Sequence, residues 1–217
     1  VRDFWVNEYE QYFWRLRAEA IAPIQNKVGA FLAHPVLNRI LTQPRSHFSL
    51  REIMDGGQIL LVNLAKGRLG EDAAALLGAL LVAHLGLAGL NRTDTPEENR
   101  RDFFLYLDEF HAFTTLALAQ MLSELRKYHV GLVLAHQYLT QLDPQVLDAV
   151  LGNVGTLVCF RIGPADAEIL GREFYPLLSP VDLTHLPNHR IYLRLMIDGV
   201  VSLPFSAETV IGSELSA

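Results

Sequence analysis

The sequence predicts an α/β fold, a mostly parallel sheet flanked by helices, with a helical segment in front and a β-hairpin at one edge. Three observations carry that expectation. From Gly56 onward, apolar strand-like runs alternate with helix-like runs, the signature of repeated βα units covered on both faces. One run, Phe103 to Leu107, is continuously apolar and ends in two adjacent carboxylates, Asp108 and Glu109. A buried parallel strand tolerates such a run, and open α/β sheets place ligands at the C-terminal ends of their strands. Near the C-terminus, Asp198-Gly199 separates Arg190 to Ile197 from Val200 to Phe205, a strong two-residue hairpin signal.

The chain divides into a helical segment, residues 1–55, and an α/β part, residues 56–217. In the first, Phe13, Leu16, Ala20 and Ile24 recur at helical spacing, and Pro23 and Pro35 are expected to break the run into shorter helices. Trp5, Tyr9, Tyr12, Phe13 and Trp14 make this stretch aromatic. Core or interdomain packing accounts for them, and stacking on nucleic acid is the other reading. In the second part, Gln58 to Leu64 reads as an apolar strand, followed by a Lys66-Gly67-Arg68 turn and a long helix. Asn91 to Asp102 is a polar loop. After the strand ending in Asp108, Thr114 or Thr115 caps a helix with Leu118, Met121, Leu122 and Leu125 on one face, ending near Arg126, Lys127 and His129. Val130 to Ala135 is the next strand, Pro144 opens a helix, Gly155 to Ile162 is another strand, and Pro164 opens a helix to about Phe174.

Composition narrows the functional classes. With 217 residues, half of them hydrophobic, the chain can bury a substantial core. A formal charge of −6 argues against a generally basic nucleic-acid coat but leaves room for a local basic channel. Nearly all cations are arginine, since only Lys27, Lys66 and Lys127 are lysines. Arginine suits phosphate and carboxylate contacts. The single cysteine, Cys159, excludes an intrachain disulfide and any multi-cysteine metal site, and it reads as core. No signal peptide is visible, and Val1 is not an initiator methionine. The chain therefore reads as a piece of a longer protein.

Ala73 to Leu90 has no formal charge and is almost long enough to cross a bilayer. Its alanines and glycines, His84 in the middle and Glu71-Asp72 at the start fit a buried helix packed on a sheet better than a membrane span. No segment is assigned to a membrane.

The acids supply the chemistry. An apolar strand ending in Asp-Glu has the outline of a Walker B motif. There the first acid, Asp108, holds magnesium through water, and Glu109 orients and polarises the attacking water. Gln137 follows the next strand, so an amide at that neighbouring strand end could bond the attacking water or the γ-phosphate. His136 reads as packing or polar support, with no His, Cys or acid cluster expected around it. Arg126 and Lys127 suit a helix C-terminus. They are also candidates for nucleotide contact, Arg126 as a finger reaching the γ-phosphate of a neighbouring subunit, with Arg161 as a second candidate. No G-x-x-x-x-G-K-[ST] phosphate loop occurs in these 217 residues.

Four segments in order, Leu-Tyr-Leu-Asp-Glu-Phe, Leu-Ser-Glu-Leu-Arg-Lys-Tyr-His-Val, Leu-Ala-His-Gln and Phe-Arg-Ile-Gly-Pro-Ala-Asp-Ala, resemble the C-terminal half of HerA/FtsK-type motor ATPases. The nearest branch is that of conjugative DNA transfer, coupling-protein-like and tied to type IV secretion. Ile59 to Gly70 and the helical segment before it resemble the same branch. The resemblance implies a RecA-like fold, a ring hexamer and ATP-driven movement of DNA or secretion. By that resemblance Asp108 and Glu109 match Walker B, Gln137 the glutamine sensor and Arg126 the finger. ATP and Mg2+ are the implied cofactors of the longer protein, with an N-terminal half carrying Walker A, DNA and secretion components as partners. The implied location is the bacterial cytoplasm, at the inner face of the membrane. A chain without the phosphate loop is expected to be inactive alone. A non-catalytic scaffold or docking module is the alternative, and a membrane-associated module is a weaker one.

Overall fold

The computed structural model describes residues 2–113 and 116–210. At its centre Phe103–Leu107 forms strand β1 and Val130–Leu134 forms β2. The two pair in parallel, with Phe103 opposite Val130 and Leu107 opposite Leu134. Between them runs helix α6, Leu116–Leu125. The threonines expected to cap it, Thr114 and Thr115, lie outside the described residues.

The apolar run of β1 is covered on one face only. Leu107 is buried, with Phe103 and Leu105 partly buried toward the helices, whereas Phe104 and Tyr106 are 59% and 71% exposed on the opposite face. Burial on both faces was the sequence expectation, and the structure corrects it. A run of large apolar residues satisfies either arrangement; only the neighbouring layers distinguish them.

The covering layer is built around α5, Glu71–Leu90. Val82 packs with Leu107, Phe110, Leu142 and Val146. One turn on, Leu85 and Ala88 join Met54, Leu125 and Val130. Met54 comes from α3, Leu50–Asp55, and Val146 from α7, Pro144–Asn153. The small residues allow close approach, as the sequence suggested: a Cβ on Gly78 would lie 2.1 Å from a ring carbon of Phe113, and one on Gly86 2.7 Å from Met121 Sδ. Among the described residues α5 is the one helix long and apolar enough to cross a membrane, and here its small face is packed in the core.

Several expected elements differ. Pro23 does not break the first helix: α1 runs from Trp14 to Ala33, while Pro35 opens α2, Pro35–Leu41. The rings of Phe4, Trp5, Tyr9 and Tyr12 pack against one another, and Phe13 and Trp14 are exposed. Gln58 to Leu64 pairs with no strand among the described residues, and Ile59 and Leu61 are 88% and 89% exposed. A strand needs a neighbouring backbone as well as an apolar pattern. The Lys66-Gly67-Arg68 turn is a short helix, α4, Lys66–Leu69.

The C-terminal part departs furthest from a mostly parallel sheet. Strand β3, Leu157–Cys159, is followed by α8, Pro164–Phe174, and α9, Pro180–Thr184. Then β4, Arg190–Arg194, pairs antiparallel with β3 and with the last strand. The hairpin forms where Asp198-Gly199 marks it, with both residues at positive φ, joining β5, Met196–Ile197, to β6, Val200–Val201. It is its own two-stranded sheet, and the final strand β7, Phe205–Glu208, returns to β4. Parallel pairing is thus confined to β1 and β2 among the described residues.

Arg92 is wholly buried. It donates from Nε to Asp55 Oδ1 at 2.9 Å and from Nη1 to the carbonyls of Arg101 and Tyr128, both at 2.8 Å. It ties α3 to the segments that lead into β1 and β2. Arg100 likewise donates to the carbonyls of Thr95 and Lys127.

Candidate functional site

The paired ends of β1 and β2 bring the predicted acids beside the predicted amide segment. Ala135 N–H donates to Leu107 carbonyl at 2.9 Å and Phe110 N–H to Ala135 carbonyl at 3.3 Å, so the strands stay in register beyond their last residues. Asp108 is exposed there, its Oδ1 accepting from the Glu109 N–H at 3.0 Å. Gln137 is exposed three residues past the end of β2.

Glu109 adopts the left-handed conformation, φ 49° and ψ 48°. A glutamate rarely does so, and such residues persist where surrounding contacts over-determine them. The turn sends Phe110 into the core with Leu107 and Val146. The Glu109 side chain turns toward two histidines: its Oε2 is 3.4 Å from His111 Nδ1 and 3.7 Å from His136 Nδ1. The two imidazole Nδ1 atoms are 3.3 Å apart, a distance at which one tautomer donates to the other.

His136 is the best buried of the three, with 4% of its side chain exposed. The Phe110 ring meets it edge-on at 5.1 Å. Burial, and after it the nearby His111 ring, hold His136 below the ordinary imidazole range. It is a neutral ring at neutral pH, with a lone pair available for bonding. This corrects the expectation that no cluster of His, Cys or acids surrounds His136: ligand atoms of His111, His136 and Glu109 converge within 4.8 Å of one another. His111 carried a signal that could have been used. It stands two residues after Glu109, and His136 stands just past the neighbouring strand, so parallel pairing of the strands brings them together.

The cationic candidates are not brought to this point. Arg126 and Lys127 form the turn after α6, next to His129, whose carbonyl accepts from the Phe103 N–H at 2.9 Å. They therefore sit at the opposite end of β1 from Asp108, roughly 16 Å away for five residues at about 3.3 Å each. Arg161 is bonded to the loop before β4, donating to Leu186 carbonyl at 3.3 Å and Asn188 Oδ1 at 3.0 Å. Arg92, within the segment read as a polar loop, is in the core.

A family model described as the type IV secretion-system coupling protein DNA-binding domain matches residues 16–170, which is most of the chain. The chain belongs to that family. This coupling-protein relative shares its fold with TrwB, a bacterial conjugative coupling protein. The TrwB structure with ADP and Mg2+ superposes with a TM-score of 0.71 at 19% identity, over 93% of this chain and 51% of TrwB. The unbound monoclinic form gives 0.69 at 19% identity, over 92% and 52%. The genome packaging NTPase B204 from Sulfolobus turreted icosahedral virus 2, in complex with AMPPCP, gives 0.50 at 14% identity, over 76% and 72%. The coupling-protein chain thus spans about half the length of the TrwB structures it matches, and its fold is the RecA-like one they represent. No curated protein matches its sequence.

Proposed function

We propose that this chain is the water-activating half of an ATP-driven motor for conjugative DNA transfer or type IV secretion. The observation that carries the reading is Glu109: a carboxylate held by a left-handed turn at the end of β1, beside Asp108 and the end of β2, in a chain of the coupling-protein family. Asp108 would hold Mg2+ through water, Glu109 would orient and polarise the attacking water, and Gln137 would bond that water or the γ-phosphate. Carboxylates and a neutral amide fit the magnesium and water side of a nucleotide. They do not balance the charge of its phosphates. That task belongs to a phosphate loop and lysine, which we assign to an N-terminal half of a longer protein.

The uncovered face of the β1–β2 pair supports that division. Phe104, Tyr106 and Val133 are exposed there, and Ile59 and Leu61 are exposed in the unpaired Gln58 to Leu64 segment. The half carrying the phosphate loop would cover them and give Gln58 to Leu64 a strand partner. With residues 1–55 as a helical segment before the α/β part, the assembled protein would be a RecA-like HerA/FtsK-type motor. A finger at Arg126 has to act on a neighbouring subunit, because Arg126 lies at the far end of β1 from Glu109. A ring of identical subunits, six by family likeness, would provide that neighbour. DNA and secretion components would be its partners and the inner face of the bacterial membrane its place. Lys127 and Arg161 remain second candidates for nucleotide contact.

The lack of a phosphate loop in these 217 residues favours one other reading, a non-catalytic scaffold that docks partners through the same fold. Calorimetry separates the two. The chain alone is expected to show no micromolar ATP binding. Joined to a phosphate-loop half from the same longer protein, it should hydrolyse ATP, and Glu109→Gln should keep binding while losing turnover by roughly a hundredfold or more. Full turnover by the Glu109→Gln protein would sink the motor reading.

A further inference from the structure

We propose that Glu109, His111 and His136 form a binding site for a single transition-metal dication of the zinc class. Three nitrogen and oxygen atoms face one another at 3.3 Å (His111 Nδ1 to His136 Nδ1), 3.4 Å (Glu109 Oε2 to His111 Nδ1) and 3.7 Å (Glu109 Oε2 to His136 Nδ1). Zinc–ligand bonds of about 2.0–2.1 Å give a tetrahedron with edges of roughly 3.3–3.4 Å. The triangle therefore has the size of one tetrahedral face, and an ion can be seated on it with small side-chain adjustment.

The ligand chemistry selects the metal. Two imidazoles and one carboxylate suit zinc, cobalt or nickel, whereas magnesium and calcium prefer all-oxygen sets. Three protein ligands leave a fourth position open for water or a substrate oxygen.

The backbone and surroundings hold the ligands in place. The left-handed turn at Glu109 aims its carboxylate back toward the imidazoles. Register between β1 and β2 fixes His136 beside it, and Phe110 packs on the His136 ring. His136 Nε2 and Asp166 Oδ1 are both buried and have no hydrogen-bond partner among the described residues, and the Asp166 charge acts on the His136 ring. A ligating histidine commonly has a carboxylate behind its other nitrogen, which fixes the tautomer and raises its basicity. Asp166, on α8, is not within ion-pair distance of His136 and influences the ring through its charge alone.

The site stands without the motor reading, because metal binding can be read with no nucleotide present. Where the motor reading holds, a metal on Glu109 would withdraw that carboxylate from water activation, so zinc would act as a brake.

The test uses the purified 217-residue chain, titrated with Co2+ in visible absorption and with Zn2+ in calorimetry. The expected result is one ion per chain with tetrahedral cobalt bands, and affinity lowered at least tenfold by His111→Gln, Glu109→Gln or His136→Ala. His84→Ala, on the exposed side of α5, should change nothing. Circular dichroism identifies any variant that fails to fold; the partly exposed His111 and Glu109 carry the test if His136→Ala does. Binding of roughly 1 mM or weaker overturns the proposal. So does binding that survives both His111→Gln and Glu109→Gln, which would place the ion elsewhere. Failure of this binding leaves ATP turnover untouched, so the two readings fail separately.

Discussion

Arg92 and Cys159 illustrate what a single side chain does once its surroundings are known. Arg92 holds one carboxylate and two carbonyls from three chain segments with no exposed surface. Replacing it with methionine removes the donor from those carbonyls and leaves Asp55 with Arg51 as its remaining arginine partner, so Arg92→Met should destabilise the chain by about 3 kcal/mol. Arg100→Met should cost clearly less, because Arg100 is only partly buried. Urea unfolding of the two variants makes the comparison. Nothing in the residue pattern of Asn91 to Asp102 separated the buried arginine from its neighbours. Cys159 was legible as core from its apolar run, and the structure adds its chemistry. Burial, and then Asp166, push its thiol from 9.0 to about 11. At pH 8 the thiolate is then roughly a hundredfold scarcer than for an ordinary cysteine, so iodoacetamide should label Cys159 slowly until urea is added. Because the folded state favours the neutral thiol, its stabilising share is full below pH 9 and is lost as pH rises toward 11.

At the scale of the element, α5 was the best-read part of the chain. Its small residues pointed to close packing, and Gly78 and Gly86 provide it. Gly78→Ala should therefore destabilise by about 1–3 kcal/mol, the overpacking cost exceeding the gain in helix propensity. Gly152→Ala, in α7 with nothing within 4 Å of the added methyl, should be neutral or slightly stabilising. Thermal melts of both variants check the sign. Strand β1, ending just before Asp108 and Glu109, was read correctly, as were β2, α8 and the Asp198-Gly199 hairpin. Pro23 was over-read: a proline removes one backbone donor, but the rest of α1 continues through it. Gln58 to Leu64 was read from its apolar pattern, which cannot show whether a neighbouring strand is present.

At the scale of the whole molecule, the alternation of runs pointed to the α/β class but not to the partition, among the described residues, into one parallel pair and two antiparallel sheets. Apolar runs specify burial, whereas strand direction depends on the path between them. The acid pair of the candidate site was visible in the sequence. The histidines beside it went unread, because their spacing becomes informative only once β1 and β2 are paired in parallel.

One consequence of the placement of Arg126 at the far end of β1 concerns inheritance between defective copies. In a ring, each catalytic interface would draw Glu109 from one subunit and Arg126 from the next. Two proteins that are inactive alone, Glu109→Gln and Arg126→Ala, should then rescue each other when co-assembled. With random mixing in equal amounts, about one interface in four is intact. The longer protein should regain activity in proportion, measured as phosphate release after subunit exchange. A mixture as silent as its parts would mean that Arg126 serves its own chain or none.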